Sequence, residues 1–178
     1  RDSGQEKLWV SVNLSGRQFQ DQDLVKMIKD ILDEYGLPGD GLRLEITESV
    51  AIRNMEYTAQ VLSELNALGV YTSIDDFGTG FSSLSYLKKF DIDYLKIDRS
   101  FINQLMDNAT DRALVEAIIV MVHKLDIKSI AEGVETKEQQ DLLVHFGCDY
   151  VQGFLYSTPI TKDAFEKLLA KQWNLVQA

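Results

Sequence analysis

The sequence holds one cysteine, Cys148, in 178 residues, which excludes an intramolecular disulfide and any zinc site built from several cysteines. That usage fits a reducing compartment, and the default reading of Cys148 is a buried small apolar residue. Histidine is nearly as scarce: His123 and His145 both fall inside helical patterns away from strand ends, so no chemistry is assigned to them. No apolar run approaches the roughly 18 residues needed to span a bilayer, and the N-terminus lacks the basic-then-apolar pattern of a signal peptide. The domain is therefore read as cytoplasmic, with a membrane anchor left open for a longer parent. Also missing are the G-x-x-x-x-G-K-[ST] phosphate loop, a G-x-G-x-x-G turn opening a helix and a G-x-S-x-G nucleophile elbow. Linker-like, low-complexity and fixed-period segments are absent too.

Positive charge is short as well: Lys and Arg total 18 against 28 Asp and Glu, a formal net charge of -10. This balance repels a long polyanion, so no long nucleic acid is expected as a partner. It leaves one phosphate chemistry open, in which divalent cations sit between protein carboxylates and the oxygens of a small phosphate ester. With 45% hydrophobic residues, a chain of this length buries one sizeable core, and residues 1–178 are read as one domain.

Short β-rich runs alternate with segments of helical period. Strands are expected at 8–13, 42–46, 70–75, 93–97, 128–131 and 150–153. Between them, Leu24, Met27, Ile28, Ile31, Leu32 and Tyr35 form one helical stripe. Further helices are expected near 57–68 and 82–89, and along Leu114, Ala117, Ile118, Met121 and Val122. Thr136-Lys137-Glu138-Gln139 fits a capping box that opens another, and a last helix runs over about 161–173, after Pro159. Strands each followed by a helix imply an α/β fold with parallel pairing and right-handed crossovers, as an open doubly wound sheet or a barrel. Periodicity does not choose between the two. A (β/α)8 barrel takes about 250 residues, so a barrel reading leaves this chain short by about two β/α units.

The polar residues that look out of place close the strands: Asn13, Glu45, Asp75, Asp76, Lys96, Asp98, Glu132 and Gln152. In a parallel barrel those ends share one rim. A carboxylate closing a strand as apolar as Val70-Tyr71-Thr72-Ser73-Ile74 is costly to desolvate unless a cation or donor compensates it. Asp75 and Asp76 do this in succession. Neighbouring strand residues point to opposite faces, so both converge on one site only if the chain turns, and Gly78-Thr79-Gly80 supplies a turn. Together with Asn13, Glu45 and Glu132 they form a hard, oxygen-rich set suited to magnesium or manganese. Lys96 either neutralises charge at this rim or forms a plain ion pair with Asp98, and the sequence supports both. Gln152 is equally read as a satisfier of backbone groups.

Six segments then come in an order that resembles a known family: Ser11-Val12-Asn13-Leu14-Ser15, Leu44-Glu45-Ile46-Thr47-Glu48, Asp75-Asp76-Phe77-Gly78-Thr79-Gly80, Leu95-Lys96-Ile97-Asp98, Ala131-Glu132-Gly133-Val134-Glu135-Thr136 and Gln152-Gly153. Together they resemble the EAL domain. The resemblance implies a modified TIM-like (β/α) barrel that hydrolyses one phosphodiester of cyclic di-GMP to linear pGpG with two Mg2+ or Mn2+ ions, calcium being inhibitory. Carried onto matching positions, Asn13, Glu45 and Asp75 bind the first metal, Asp75 bridges, and Asp76 and Glu132 bind the second. Lys96 and Gln152 hold the attacking water or its neighbours, Glu48 steadies the loop over 77–83, and Asp98 and Glu135 support the ligands. A homodimer and regulatory domains in the parent are implied as well.

The departure from the family lies at the front, where the Glu-Ala-Leu motif does not occur before Asn13. That absence and the length deficit lead to the expectation of a barrel lacking its first strands. A second reading, a cyclic di-GMP receptor that binds without cleaving, stands beside the enzyme.

Overall fold

The computed structural model describes residues 8–79 and 86–176, with the backbone alone over 170–176. Its strands are β1 (Val10–Asn13), β2 (Leu42–Thr47), β3 (Tyr71–Phe77), β4 (Tyr94–Ile97), β5 (Lys128–Glu132) and β6 (Tyr150–Gln152). The helices are α1 (Gly16–Phe19), α2 (Leu24–Tyr35), α3 (Glu48–Ala51), α4 (Met55–Ala67), α5 (Arg99–Asn103), α6 (Ala109–His123), α7 (Lys137–His145) and α8 (Lys162–Val176). Thr136 and Gln139 form the expected capping box of α7. Of the short helix expected over 82–89, the described part is a 3-10 turn at Leu87–Lys89; the rest lies outside the described residues, as do Gly80 and the end of the 77–83 loop.

Strand order decides between sheet and barrel. The strands pair in parallel in sequence order β1-β2-β3-β4-β5-β6, with no reversal of the kind that makes a doubly wound sheet. The result is a curled half-barrel with its helices outside. Alternation along each strand divides the residues between two faces. Leu44, Ile46, Ile74, Leu95, Ile97 and Ala131 are buried in the core cluster with Ile28, Leu62, Leu65, Val115 and Ile119 of the helices. Each such Leu or Ile contributes about 1.5–3 kcal/mol through burial. The inner face carries the polar set: Arg43, Glu45, Ser73, Asp75 and Lys96 are all buried.

The inner face is closed at its amino end by an aromatic floor. Arg43 lies with its guanidinium carbon 3.7 Å from the Tyr94 ring centroid and 3.9 Å from that of Trp9, and Nη2 donates to the Tyr94 hydroxyl at 2.7 Å. Stacking on π faces supplies the stabilisation a buried cation needs where no carboxylate pairs with it among the described residues.

Asp149 pins β5, β6 and α6 together. Its Oδ2 accepts from Ser129 N and Ser129 Oγ, both at 2.9 Å, and lies 2.7 Å from His123 Nε2. His123 is thus a structural partner. Partial burial pushes the Asp149 carboxyl up, but these donors outweigh it and hold its pKa below the ordinary 3.8. A folded-state pKa below the unfolded value gives stability that is present above the ordinary value and lost as pH falls through the folded one. Asp149→Asn is expected to destabilise by about 1–3 kcal/mol at neutral pH, with the gap to wild type closing in acid; urea denaturation across that pH range checks it.

Candidate metal centre

The carboxyl ends of the strands bring three carboxylates onto one ammonium, with a fourth, Asp76, beside them. Lys96, inward on β4, reaches Glu45 Oε2 on β2 at 2.6 Å, Asp75 Oδ1 on β3 at 3.1 Å and Glu132 Oε1 on β5 at 2.7 Å. Its side chain is 4% exposed. Burial opposes its charge, yet hydrogen bonds with Glu132 and Glu45 more than offset this and hold its pKa above that of an ordinary lysine. The ion pair with Asp98 that the sequence left open does not form; Asp98 Oδ1 instead accepts from Ser100 N at 2.9 Å and caps α5.

Asp76 stands at the point where β3 departs from regular geometry. Pairing with β4 shifts between Ile74 and Phe77, and Asp76 itself has φ of 56°, a left-handed conformation that Asp tolerates better than most residues. The chain therefore turns at Asp76, before the glycines on which the sequence reading placed the turn. The outcome matches that reading: carboxylate oxygens of Asp75, Asp76 and Glu132 all lie within 4.8 Å of one another. Burial raises the Glu132 carboxyl, as do Asp75 and Glu45, against the lowering effect of Lys96. Asp76 is raised by the partial burial it has and by the charges of Asp75 and Asp98. Four carboxylates against one ammonium leave an excess of negative charge, held by oxygen donors alone. That is the environment hard divalent cations fit.

Two further expected site residues lie on the strands that flank this cluster. Asn13 is paired in register with Glu45 and Gln152 with Glu132, but both side chains are exposed and neither makes a hydrogen bond among the described residues. Gln152 and Glu45 border a cavity of ≈650 Å3 between β1 and β6 that also touches Trp9, Arg43 and Tyr150. Glu135 engages through its backbone N–H, which donates to Gln139 Oε1 at 2.8 Å.

Glu48, at the start of α3, is 3% exposed. Its Oε2 accepts from Gly78 N at 3.2 Å and its Oε1 from the Tyr86 hydroxyl at 2.8 Å. One carboxylate thereby ties down the chain on both sides of residues 80–85. Tyr86 carries no sequence signal for this role, because its partner is 38 residues away in the chain. Burial and the Glu48 charge push the Tyr86 hydroxyl well above the ordinary tyrosine range, so it remains a donor. Tyr86→Phe is expected to destabilise the fold by about 1.5–3 kcal/mol, the range for a hydrogen bond to a charged group, measurable by urea denaturation.

Parallel strands in sequence order, with an acidic, lysine-bridged rim at their carboxyl ends, define a TIM-like β/α-barrel domain with a carboxylate cluster at the strand ends. The chain belongs to the EAL domain family, whose model matches residues 1–159. It is 48% identical over 165 residues to the signaling protein YkoW of Bacillus subtilis, covering 93% of this chain and 21% of that protein. With MucR of Pseudomonas aeruginosa, named a bifunctional diguanylate cyclase/cyclic di-GMP phosphodiesterase, it shares 44% identity over 169 residues, 95% of this chain and 24% of that one. The chain thus spans about a fifth to a quarter of the curated relatives it matches. A solved structure of PaMucR phosphodiesterase in complex with c-di-GMP superposes with a TM-score of 0.88 at 43% identity, over 92% of this chain and 66% of that chain. The manganese/cy-diGMP complex of Klebsiella pneumoniae BlrP1 gives 0.79 at 34% identity, over 86% and 40%. Among the described residues no helix is long and apolar enough to cross a membrane.

Proposed function

We propose that this domain hydrolyses cyclic di-GMP to linear pGpG with two Mg2+ or Mn2+ ions. The observation that carries the reading is the convergence of Asp75, Asp76 and Glu132 oxygens within 4.8 Å beside an ammonium already shared by three carboxylates. In this reading Asn13, Glu45 and Asp75 would hold one ion, and Asp75, Asp76 and Glu132 would hold the other. Such ions supply Lewis acidity toward water and toward the phosphodiester oxygens.

The chain's own groups do the positioning. Lys96 keeps Glu45, Asp75 and Glu132 turned toward one point and presents positive charge where a phosphate oxygen gathers negative charge. Glu48 fixes the backbone at Gly78, two residues beyond Asp76. Gln152 borders the same cavity as Glu45 and in this reading would hold the attacking water or its neighbours. The names of MucR and of the solved c-di-GMP complexes support this substrate. A cytoplasmic homodimer belongs to the same reading, and light scattering checks the dimer.

The test incubates this chain, and a longer version of the same protein, with cyclic di-GMP and Mn2+ and separates the products by chromatography. Linear pGpG supports the enzyme. Retained binding of cyclic di-GMP without product in either version overturns it in favour of a receptor.

A further inference from the structure

Helix α5 continues from the end of β4 and touches the backbone just beyond both outer members of the acidic cluster. On the β3 side, Gly78 has φ of 97°, and a Cβ placed there would lie 2.7 Å from Phe101 Cε2 and 2.9 Å from Cζ. On the β5 side, Gly133 follows Glu132 directly with φ of 72°, and a Cβ placed there would lie 2.6 Å from Arg99 Cβ. Each glycine thus permits an approach of α5 that any side chain would block.

The helix is itself held from outside the site. Asp98 caps its start, Ile102 is fully buried, and Gln139 Nε2 donates to Ile102 O at 3.1 Å. The same glutamine accepts from Glu135 N and Thr136 N at 2.8 and 3.0 Å, joining the end of α5 to the chain that leaves β5. Since β4 separates β3 from β5 in the sheet, no strand pairing between those two sets the distance between their exits. The pairing of β3 with β4 is moreover already irregular before Phe77.

We propose that α5 is a positioning clamp for the acidic cluster: Phe101 against Gly78 and Arg99 against Gly133 set the separation of Asp76 from Glu132. The inference rests on the metal-binding reading above. Phe101 is a positioning residue, acting through the backbone at Gly78.

Two measurements on this chain test it. Titration with Mn2+ alone, followed by electron paramagnetic resonance, is expected to show binding about tenfold weaker in Phe101→Ala, the lower end of what loss of a ligand-supporting residue does. Phe101→Leu, which keeps much of the bulk, should retain most of the affinity. A lowered unfolding midpoint with unchanged Mn2+ affinity in the folded variant overturns the clamp. The second measurement needs no metal: Gly78→Ala should lower the urea midpoint sharply in wild type and less in Phe101→Ala, where the obstructing ring is gone. Additive shifts overturn the clamp on the β3 side. Wild-type protein that takes up no Mn2+ overturns the functional reading instead, and the clamp is then decided by the metal-free pair of variants.

Discussion

Replacing Lys96 with methionine is expected to destabilise the metal-free protein by about 3–5 kcal/mol, the range for a buried charge cluster that loses one partner. The reason is geometric. Glu45 and Asp75 are 6% and 8% exposed, and with Glu132 they direct oxygens at one ammonium from 2.6 to 3.1 Å. Methionine matches lysine in length and supplies no charge, so three carboxylates would face each other with no compensating cation. Divalent cations are expected to return part of the loss: an ion that binds only the folded state stabilises by about 2.7 kcal/mol at a hundred times its dissociation constant. Urea denaturation of Lys96→Met with and without Mn2+ checks both halves. A variant as stable as wild type in the absence of metal would mean that the carboxylates are compensated by something other than Lys96.

Asp76→Ala and Glu132→Ala are expected to reduce cyclic di-GMP turnover in the full protein by at least about a hundredfold, or roughly 2.7 kcal/mol of barrier, while leaving the fold intact. Neither is expected to cost as much stability as Lys96→Met, because Lys96 keeps carboxylate partners in both. Asp76 is exposed and takes no ion pair with Lys96, so its removal lowers the excess negative charge. Glu132 is the more buried of the two, and its loss leaves Lys96 with Glu45 and Asp75 as partners. Product chromatography measures turnover, and circular dichroism confirms folding. Near-normal hydrolysis by either variant would remove that residue from the metal set.

The two predictions separate the roles of the rim residues. Lys96 bears mainly on stability without metal, because it supplies the positive charge the carboxylates share. Asp76 bears mainly on turnover, because it is exposed where the strand leaves regular pairing and makes no ion pair with Lys96.

Much of this was legible in the amino-acid order. Short β-rich runs located all six strands to within a few residues, and Thr136 with Gln139 announced the start of α7, because capping and strand propensity are local physics. Strand ends as polar as Glu45, Asp75-Asp76 and Glu132 after apolar runs marked the rim, since uncompensated burial of a carboxylate is too costly to be incidental. What the order of residues could not contain is how distant segments meet. Tyr86 on Glu48, Phe101 on Gly78, Arg43 between Trp9 and Tyr94, and Asp149 on His123 each join residues far apart in the chain. Such contacts follow from the curl of the sheet and leave no local pattern.

By itself, then, the sequence determined the alternation of strand and helix, the carboxylate-rich strand ends and the exclusion of an intramolecular disulfide, all of which depend on residue type and spacing along the chain. Only the tertiary structure decided that the strands run in sequence order as a half-barrel, that Lys96 serves Glu45, Asp75 and Glu132 and not Asp98, and that the turn joining the two aspartates lies at Asp76 itself. Those outcomes depend on register and on which side chains a curved sheet brings to one point, and backbone pairing across the whole domain sets both.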